Sequence, residues 1–564
     1  MLVIAASKPM NFKANESDIK LRGAYYTDPE IATFLLKWVL HIHPKSILEP
    51  SCGDGVFLRC LSLLNTNGVN EIKGFEIEPI EGEKARHFAH ELKNVNVEIL
   101  TRDFLGWSLA KLLNPPLFDA VIGNPPFIRY QYLDTKLQNI AENIFKFFRL
   151  PFTKHINVWV PFVISSLALL RPGGRLAMVV PAELLHVLHA QSLRAFLTKV
   201  CSRVLIFDPQ ELWFEDTLQG AILLLAEKKV ESNEEFKGVG IIPTRSKEFL
   251  QNDPEDYYLN ARYTNGETVE GKWMLALLTD SERAVFSKAK NHLGVYRFDN
   301  IAEVAVGIVT GANKFFLVPD SVIEKYSLQK WAHPMFGRSE HVPGIVYDAN
   351  AIARNKNLRL PTNFVWFSDE KLDKLPESVR DYIRLGEKED IHKRYKCRIR
   401  EPWYSVPSVY ATSIGMPKRC HDYPRLIFNK AKVFTTDTTY RVRHKLFDET
   451  TIVSSFINSL TALSAEIEGR HYGGGVLELV PSEIRKLLVP VQQFNEENVY
   501  SLNALIQNGV EAEQLIAIQD EKILKPLGFT KNETELLRQA WSRLRLRRQR
   551  QDFSEVVDEE LTVK

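Results

Sequence analysis

An α/β fold with a doubly wound, mostly parallel sheet of seven strands is predicted for the first 235 residues. Short apolar runs alternate there with helix-length stretches, and strands separated in this way pair in parallel through crossover helices. The last two runs lie close together in the chain, which predicts an antiparallel edge. The seven predicted strands are 46–50, 72–76, 95–100, 120–122, 175–180, 204–207 and 221–226.

The rest of the chain lacks this alternation. A polar, charged stretch at 228–237 predicts a domain boundary. The residues after it are rich in Pro, Gly and aromatic side chains, which predicts an irregular α+β domain. Periodic Leu and Ile then predict a helical C-terminal segment. We therefore expect a first domain at 1–235, a second at 241–495 and the helical segment at 496–564.

The composition of the 564-residue chain is that of an ordinary globular protein. Hydrophobic residues make up 45%, charged residues 25%, and the net charge is +2. Five scattered Cys predict free thiols in a reducing compartment. No apolar run approaches the ~20 residues of a membrane helix, and we read no signal peptide, so a cytoplasmic protein is expected. His421 with Cys420 and Cys397 is too sparse a group to predict a metal site.

Polar and glycine residues at three successive strand ends predict a ligand that contains adenosine. After the first strand, Gly53 and Gly55 let the backbone approach a ligand, and the next helix offers free N–H groups. Glu76 ends the second strand, where a carboxylate suits ribose hydroxyls. Asp103 and Phe104 follow the third strand and offer an acceptor for an adenine amino group beside an aromatic ring. Each signal alone is weak, but their order favours such a cofactor.

A rigid tetrapeptide, Asn124-Pro125-Pro126-Phe127, follows the fourth strand. Two prolines in tandem fix the loop in an extended form. The side-chain oxygen of Asn124 and the carbonyl oxygen of Pro125 can then accept from one amino group, while Phe127 offers a face for a planar base. An exocyclic amine polarised in this way can attack a methyl sulfonium in line, by positioning and without a metal.

These motifs resemble, in their order, the gamma-class DNA adenine-N6 methyltransferases of type II restriction-modification systems. The resemblance covers residues 20–230 and implies a Rossmann-like domain that binds S-adenosylmethionine. It also implies methyl transfer to N6 of an adenine flipped out of duplex DNA. The motif at 23–29, the helix at 157–162 and the Gly-Gly turn at 170–174 agree with the same family. Phe127 replaces the commoner Tyr but keeps the stacking face.

The resemblance assigns roles to individual residues of this chain. The catalytic residues are Asn124, Pro125, Pro126 and Phe127. The side chains implied to stack on the target base are Phe127 and Phe214. The residues implied to bind the cofactor are Thr27, Glu49, Pro50, Ser51, Cys52, Gly53, Gly55, Glu76, Ile77, Asp103, Phe104 and Asn124.

Double-stranded DNA is the expected partner, because an enzyme that modifies a base must extrude it and hold the duplex. Residues 391–445 contain 13 Lys or Arg against 3 Asp or Glu, interleaved with aromatic residues, which predicts phosphate contacts. The segments 306–316 and 472–479 resemble target-recognition domains of the same family. The predicted DNA-binding residues are Lys314, Arg394, Lys396, Arg398, Arg400, Lys418, Arg419, Lys430, Arg441 and Arg443.

A second basic run, 543–550, predicts either another phosphate contact or a helix paired with the acidic residues 558–560. Its composition does not choose between these two interpretations, because arginines serve both purposes.

Other functions stay open on the sequence alone. Methyltransferases of an amino or amide nitrogen of RNA or protein carry a similar loop, although the long C-terminal region is unusual for them. A catalytically idle DNA-binding specificity module is disfavoured by the intact loop. Cytosine N4 is disfavoured by Asn124 through family resemblance only. No convincing nuclease motif occurs, so we expect a separate cognate restriction endonuclease from which this protein protects DNA. A monomer is expected because methylases of asymmetric sites act on one strand at a time.

Overall fold

The first unit is built on one large sheet. The computed structural model describes residues 26–115, 117–209, 220–368, 370–472 and 474–549, and all statements below concern those residues. The strands of this sheet are β1 (Ser46–Glu49), β2 (Glu71–Glu76), β3 (Asn96–Thr101), β4 (Phe118–Gly123), β5 (Leu170–Pro181), β6 (Cys201–Pro209), β7 (Ala221–Lys228) and β8 (Val239–Thr244). Their order across the sheet is β3-β2-β1-β4-β5-β7-β6-β8.

Most neighbouring strands of this sheet run parallel. Strands β1 to β5 pair in parallel, whereas β7 is antiparallel to both β5 and β6. The helices between and after the strands are α1 (Pro29–Leu40), α2 (Val56–Ser62), α3 (Pro79–Ala89), α4 (Phe104–Lys111), α5 (Thr135–Phe147), α6 (Trp159–Ala168), α7 (Glu183–His186), α8 (Gln191–Val200) and α9 (Pro254–Asn260). This topology confirms the predicted Rossmann-like fold, although the antiparallel strand β7 lies inside the sheet and not at the predicted edge.

Strand β1 lies between β2 and β4, so the direction of chain progression reverses there. A reversal of this kind opens a crevice at the carboxyl ends of the strands, where α/β proteins bind ligands. All four residues of β1 are buried, and α1 packs Phe34 and Trp38, each with no exposed surface, into the core. The ends of β1, β2 and β4 are therefore held in fixed positions at one edge.

The predicted sheet and the predicted domain boundary both need correction. An eighth strand, β8, pairs in parallel with β6, and the two compact units divide between Leu277 and Leu278 instead of at 235–241. The polar stretch 228–237 is a connection between two strands of one sheet. Helix α9 also belongs to the first unit, because its buried Glu255 forms an ion pair with Arg175 at 2.5 Å.

The second unit carries short strands in four small sheets, with orders β10-β18-β14-β16, β11-β13-β12-β17, β15-β20-β19 and β21-β9. The irregular α+β character predicted for this region is present. Its strands are β9 (Val295–Arg297), β10 (Ala302–Ala305), β11 (Leu317–Val318), β12 (Ala332–Phe336), β13 (Asn363–Val365), β14 (Ile414–Pro417), β15 (Arg419–Cys420), β16 (Ile427–Phe428), β17 (Phe434–Thr435), β18 (Thr439–His444), β19 (Arg470–Tyr472), β20 (Val476–Glu478) and β21 (Leu488–Pro490).

The helices of the second unit include those of the predicted C-terminal segment. They are α10 (Asp280–Lys290), α11 (Phe298–Ile301), α12 (Asn313–Phe316), α13 (Asp320–Lys325), α14 (Ala349–Asn357), α15 (Glu377–Lys388), α16 (Tyr395–Arg398), α17 (Glu449–Ser455), α18 (Ser459–Glu468), α19 (Pro481–Ile484), α20 (Glu496–Gln507), α21 (Ala512–Ile523) and α22 (Lys531–Gln549). Because α22 packs on both α10 and α18, the helical segment is part of the second unit.

Two properties of the described residues bear on the sequence-based expectations. None of their helices combines the length and apolar character that a membrane crossing needs. Within the same ranges, no group of three or more His, Cys, Asp or Glu is arranged to hold a metal ion.

Candidate active site

The loop between β1 and α2 is a tight turn that depends on its two glycines. Gly53 and Gly55 have φ values of +52° and +85°, in the left-handed region that favours glycine. A Cβ at Gly55 would lie 2.8 Å from the Cα of Ala85, whereas one at Gly53 would meet nothing within 4 Å. Gly55 thus permits close packing on α3, and Gly53 leaves one face of the loop open.

Glu76 joins the tip of β2 to this loop. Its Oε2 accepts from the backbone N–H of Gly53 at 2.8 Å, and its Oε1 accepts from that of Glu78 at 2.9 Å. Each carboxylate oxygen has capacity for another donor. Ile77, the next residue, is 57% exposed and offers an apolar surface beside the carboxylate. These positions suit a ribose with a planar ring next to it.

Glu49, at the end of β1, is a buried acid without a counter-charge. Only 1% of its surface is exposed, and its Oε1 has no hydrogen-bond partner among the described residues. Burial raises the pKa of this carboxyl well above its ordinary value, and the nearby Glu76 raises it further. A buried carboxylate oxygen in this state can accept from a cationic amino group.

Cys52 lies buried in the same loop. Its Sγ donates to the carbonyl oxygen of Glu49 at 3.8 Å, and its backbone N–H donates to the carbonyl oxygen of Phe75. Burial raises the pKa of its thiol well above the ordinary value, which disfavours the reactive thiolate. Pro50, between these residues, is buried as well.

Asp103 and Phe104 have structural roles at the start of α4. The Asp103 carboxylate caps the helix by accepting from the N–H groups of Leu105 at 3.1 Å and Gly106 at 2.6 Å. Burial raises its pKa. The Phe104 ring is only 2% exposed and packs 5.4 Å from the ring of Phe75. A contact of either residue with adenine therefore stays a prediction.

The tetrapeptide after β4 is fixed at its first residue by two side chains from distant parts of the sequence. The Asn124 amide Nδ2 donates to Thr27 Oγ1 at 3.1 Å, and the Ser51 hydroxyl donates to the carbonyl oxygen of Asn124 at 2.9 Å. Since one end of the planar amide is held by Thr27, its Oδ1 points away from that residue. The predicted cofactor residues Thr27 and Ser51 are thus brought directly to the predicted catalytic residue.

The far side of the tetrapeptide is held by main-chain hydrogen bonds. The N–H of Val158 donates to the carbonyl oxygen of Ile128 at 2.8 Å, and the N–H of Tyr130 donates to that of Ile156 at 3.0 Å. Pro125 is buried, while Pro126 and Phe127 are partly exposed. The loop is therefore anchored at both ends and presents the Phe127 ring at a partly open surface.

Sequence reasoning missed two residues that support this arrangement. Asp28 caps α1 directly after Thr27, and its Oδ2 also pairs with Lys247 Nζ at 2.6 Å. The Asp-Pro pair at 28–29 is a readable helix-start signal. Lys247 carried no signal, because it follows β8, which was not predicted. Phe214, Gly473 and the residues 23–25, 550 and 558–560 lie outside the described part of the chain.

Seven of the ten predicted DNA-binding residues are exposed, and two others, Arg400 and Arg441, donate hydrogen bonds to backbone carbonyl oxygens. Arg400 donates to the carbonyl oxygens of Thr310 and Val309 at 2.8 and 2.7 Å, and burial lowers its pKa. Arg441 is 6% exposed and donates to the carbonyl oxygen of Val306. Both arginines brace the 306–310 loop instead of facing solvent. The exposed residues are Lys314, Arg394, Lys396, Arg398, Arg419, Lys430 and Arg443.

Three of the predicted cations, two of them exposed, have acidic partners. Lys418 and Arg419 both pair with Glu478, at 3.0 and 2.7 Å, and Lys430 pairs with Glu496. The Glu478 side chain is 4% exposed, so its two cations balance a buried charge. A phosphate contact by Lys418 or Arg419 would have to compete with that pairing.

Three arginines of the basic run in α22 pair with acidic residues of the second unit. Arg543 pairs with Glu282 at 2.6 Å, and Arg545 pairs with Asp422 and Glu513. Arg548 forms an ion pair with Glu466 at 2.7 Å, and both side chains are fully buried. These arginines stabilise the packing of the second unit.

The fold and the site define the first unit as an S-adenosylmethionine-dependent methyltransferase domain. Residues 58–211 match the family model described as Eco57I restriction-modification methylase. Residues 270–524 match the model described as the C-terminal domain of Type II methyltransferase M.Eco57I. The resemblance to type II restriction-modification methyltransferases that the sequence predicts is therefore confirmed, and it extends into the second unit.

Individual relatives agree with these family models. Type II methyltransferase M.AccI of Acinetobacter calcoaceticus is 24% identical over 477 residues, which cover 82% of this chain and 84% of the relative. Type II methyltransferase M.HindII of Haemophilus influenzae is 22% identical over 316 residues, 53% of this chain and 55% of the relative. The solved Type IIL restriction-modification enzyme MmeI, in complex with DNA, has a TM-score of 0.51 and 12% identity, covering 92% of this chain and 72% of that one. The last comparison shows a shared fold.

The residues at the carboxyl edge of the sheet fit S-adenosylmethionine, the cofactor of this domain. Glu76 has acceptor capacity for two ribose hydroxyls. The unpartnered Oε1 of Glu49 suits the cationic amino group of the methionine moiety. The open face at Gly53 lets a ligand approach the backbone. Each of these features would suit a different part of the cofactor.

Proposed function

We propose that this protein is a site-specific DNA methyltransferase that transfers a methyl group from S-adenosylmethionine to N6 of an adenine flipped out of duplex DNA. One observation carries the proposal. Thr27 and Ser51 fix Asn124 through its amide nitrogen and its carbonyl oxygen, so that the side-chain amide is held in one orientation. An acceptor fixed in this way, beside the partly exposed ring of Phe127, is suited to a planar base with an exocyclic amino group.

The chain's own residues position and polarise the amine. Asn124 Oδ1 and the carbonyl oxygen of Pro125 accept the two N–H bonds of the amino group, which draws its lone pair out of conjugation with the ring. Phe127 stacks on the base and holds the nitrogen in place. The bound cofactor supplies an electrophilic methyl group on sulfur. The bond from nitrogen to carbon forms as the bond from carbon to sulfur breaks, and the nitrogen releases one proton to solvent.

Duplex DNA is the proposed substrate, and the second unit is the proposed target-recognition domain. A base inside a duplex cannot reach such a pocket, so the enzyme must extrude it and hold the surrounding helix. The match of residues 270–524 to a type II methyltransferase C-terminal domain supports this role, as does the solved complex of MmeI with DNA. The five exposed cations of the predicted set that form no ion pair with a described acid, Lys314, Arg394, Lys396, Arg398 and Arg443, would bind phosphates.

In the cell, this methylation would protect DNA from a cognate restriction endonuclease. The support is the type II restriction-modification character of the matching families and relatives. We propose a monomer that acts in the cytoplasm on one strand at a time. Phe214 is proposed to stack on the other face of the extruded base, through the family resemblance alone.

The test is transfer of a labelled methyl group from S-adenosylmethionine to unmethylated genomic DNA. Wild type is expected to label the DNA, and Asn124→Ala is expected to lose at least about a hundredfold in rate, since removal of one preorganised polar group at a transition state costs that much. The matched control is Asn67→Ala, at an exposed asparagine of the same unit, which should label DNA normally.

Two results would contradict the proposal. One is transfer to RNA or protein but not to DNA, which would favour the alternative methyltransferases. The other is equal DNA labelling by wild type and Asn124→Ala, which would remove the loop from the reaction.

A further inference from the structure

Helix α16 and the residue after it present two large apolar side chains to solvent within a cluster of cations. Tyr395 is 63% exposed and Ile399 is 61% exposed. Residues four apart on a helical turn are neighbours on one face. Among the described residues of the second unit, no other two exposed large hydrophobic side chains lie within one helical turn of each other.

The charges around this pair are positive and lack acidic partners. Arg394, Lys396 and Arg398 are exposed, and none forms an ion pair with a described acidic side chain. Lys396 Nζ and Arg398 Cζ each lie 5.5 Å from the centre of the Tyr395 ring, within range of a cation–π contact. Apolar side chains whose immediate neighbours in the chain are cations complement a partner that has a polyanionic exterior and an apolar interior.

The segment 394–400 is held in place by contacts with the loop at 306–311. Cys397 has no exposed surface, and Arg400 donates to the carbonyl oxygens of Thr310 and Val309. A Cβ at Gly311 would lie 2.6 Å from Lys396 Cβ, so the backbones approach closely there. Because the backbone is fixed on both sides, little further ordering is needed when the exposed side chains meet a partner.

We propose that Tyr395 and Ile399 insert between two base pairs of the DNA while Arg394, Lys396 and Arg398 bind the flanking phosphates. Proteins that distort DNA use such apolar wedges, and the stacked interior of the duplex is the surface that an aromatic and an aliphatic side chain fit. The insertion weakens local stacking, which lowers the cost of extruding a base. This inference rests on the proposed function, because it takes duplex DNA as the substrate.

The salt dependence of DNA binding separates the two kinds of contact. The probe is a fluorescein-labelled duplex that carries the modification site identified by sequencing the methylated DNA. Tyr395→Ala is expected to weaken binding roughly tenfold at every salt concentration, since stacking is not electrostatic. Arg398→Ala is expected to lower the slope of log affinity against log salt by about 0.9, the value for one phosphate contact.

Three further variants make the test specific. Tyr395→Phe keeps the ring and should bind like wild type, and Ile399→Ala should weaken binding without changing the slope. Leu293→Ala is the matched control, because Leu293 is 93% exposed in the same unit but lies outside the cluster. A duplex with 2-aminopurine at successive positions should show a fluorescence change at one step with wild type and Tyr395→Phe, and none with Tyr395→Ala.

The inference is overturned if wild type methylates DNA but Tyr395→Ala binds the duplex as wild type does, or loses no more affinity than Leu293→Ala. An altered salt slope for Tyr395→Ala would also overturn it, since the side chain would then be supporting phosphate contacts. Failure of the proposed function looks different: wild type would then transfer no methyl group to DNA at all.

Discussion

Two buried glutamates, one in each unit, differ in what surrounds them. Glu466 in the second unit has no exposed surface and is paired with Arg548, whose side chain is also fully buried. Glu49 in the first unit is equally buried, but its Oε1 has no partner among the described residues. A buried charge is costly unless it is compensated. The paired glutamate therefore belongs to the scaffold, whereas the unpaired one marks a place where a ligand completes the structure.

The largest expected loss of stability comes from breaking the buried ion pair between Glu466 and Arg548. Arg548→Ala would leave Glu466 buried and unpaired, which typically costs about 3–5 kcal/mol of stability. We expect the urea midpoint of the second unit, followed by fluorescence of the buried Trp541 in α22, to fall accordingly. The double variant Glu466→Gln with Arg548→Met removes both charges and should recover much of the loss. Equal stability of Arg548→Ala and wild type would show that the pair contributes nothing.

An intermediate case is Asp520 in α21, a buried acid that is only half satisfied. Its Oδ1 accepts from the N–H of Ser459 at 2.9 Å, while its Oδ2 has no described partner. Burial raises the pKa of this carboxyl from 3.8 to about 7. The folded state therefore holds the proton more tightly than the unfolded state does. The contribution of the protonated Asp520 carboxyl to folding stability is complete below pH 3.8 and is lost as the pH rises to about 7.

Asp520→Asn should remove this slope of stability against pH, because the amide does not titrate and still accepts from Ser459. The difference between the two proteins is expected to reach a few kcal/mol near pH 8, with the variant more stable. Urea midpoints measured from pH 4 to pH 8 check it. Parallel curves for variant and wild type would mean that Asp520 does not carry the pH dependence.

Substitution of Glu49, which has no described partner at Oε1, should have a different effect from the changes at Glu466 and Asp520. Glu49→Gln removes a buried charge, so we expect the stability of the cofactor-free protein to be unchanged or higher. Affinity for S-adenosylmethionine should fall ten- to a hundredfold, since a hydrogen bond to a charged group contributes about 1.5–3 kcal/mol. Calorimetric titration measures this, with Glu98→Gln at an exposed position of β3 as the control. If Glu49→Gln bound the cofactor as tightly as wild type and lost stability, Glu49 would be a structural residue and not a cofactor-binding one.

The carboxyl edge of the sheet was predictable because topology fixes it. Glu49 and Glu76 each end a strand and Asn124 directly follows one, and parallel strands gather such ends at one edge. The hydrogen bond of Asn124 to Thr27 then follows from the start of α1 at that edge. The eighth strand was missed because the polar stretch before it has the composition of a linker, although it joins two strands of one sheet.

The DNA-binding residues were only partly predictable, because a count of cations does not say where each guanidinium points. Arg400 and Arg398 stand two residues apart in one basic stretch. Yet Arg400 turns to the carbonyl oxygen of Thr310, while Arg398 is exposed. In an irregular segment, the direction of a side chain depends on tertiary packing. Such a segment has no sequence periodicity from which that direction could be predicted.

The identity of the modified base is the most direct test of the proposed chemistry. Genomic DNA methylated by the wild-type protein would be digested to nucleosides and analysed by mass spectrometry, with Asn124→Ala treated in parallel. The proposal predicts N6-methyladenine with wild type and none with Asn124→Ala. N4-methylcytosine in its place, or N6-methyladenine made equally by Asn124→Ala, would contradict it.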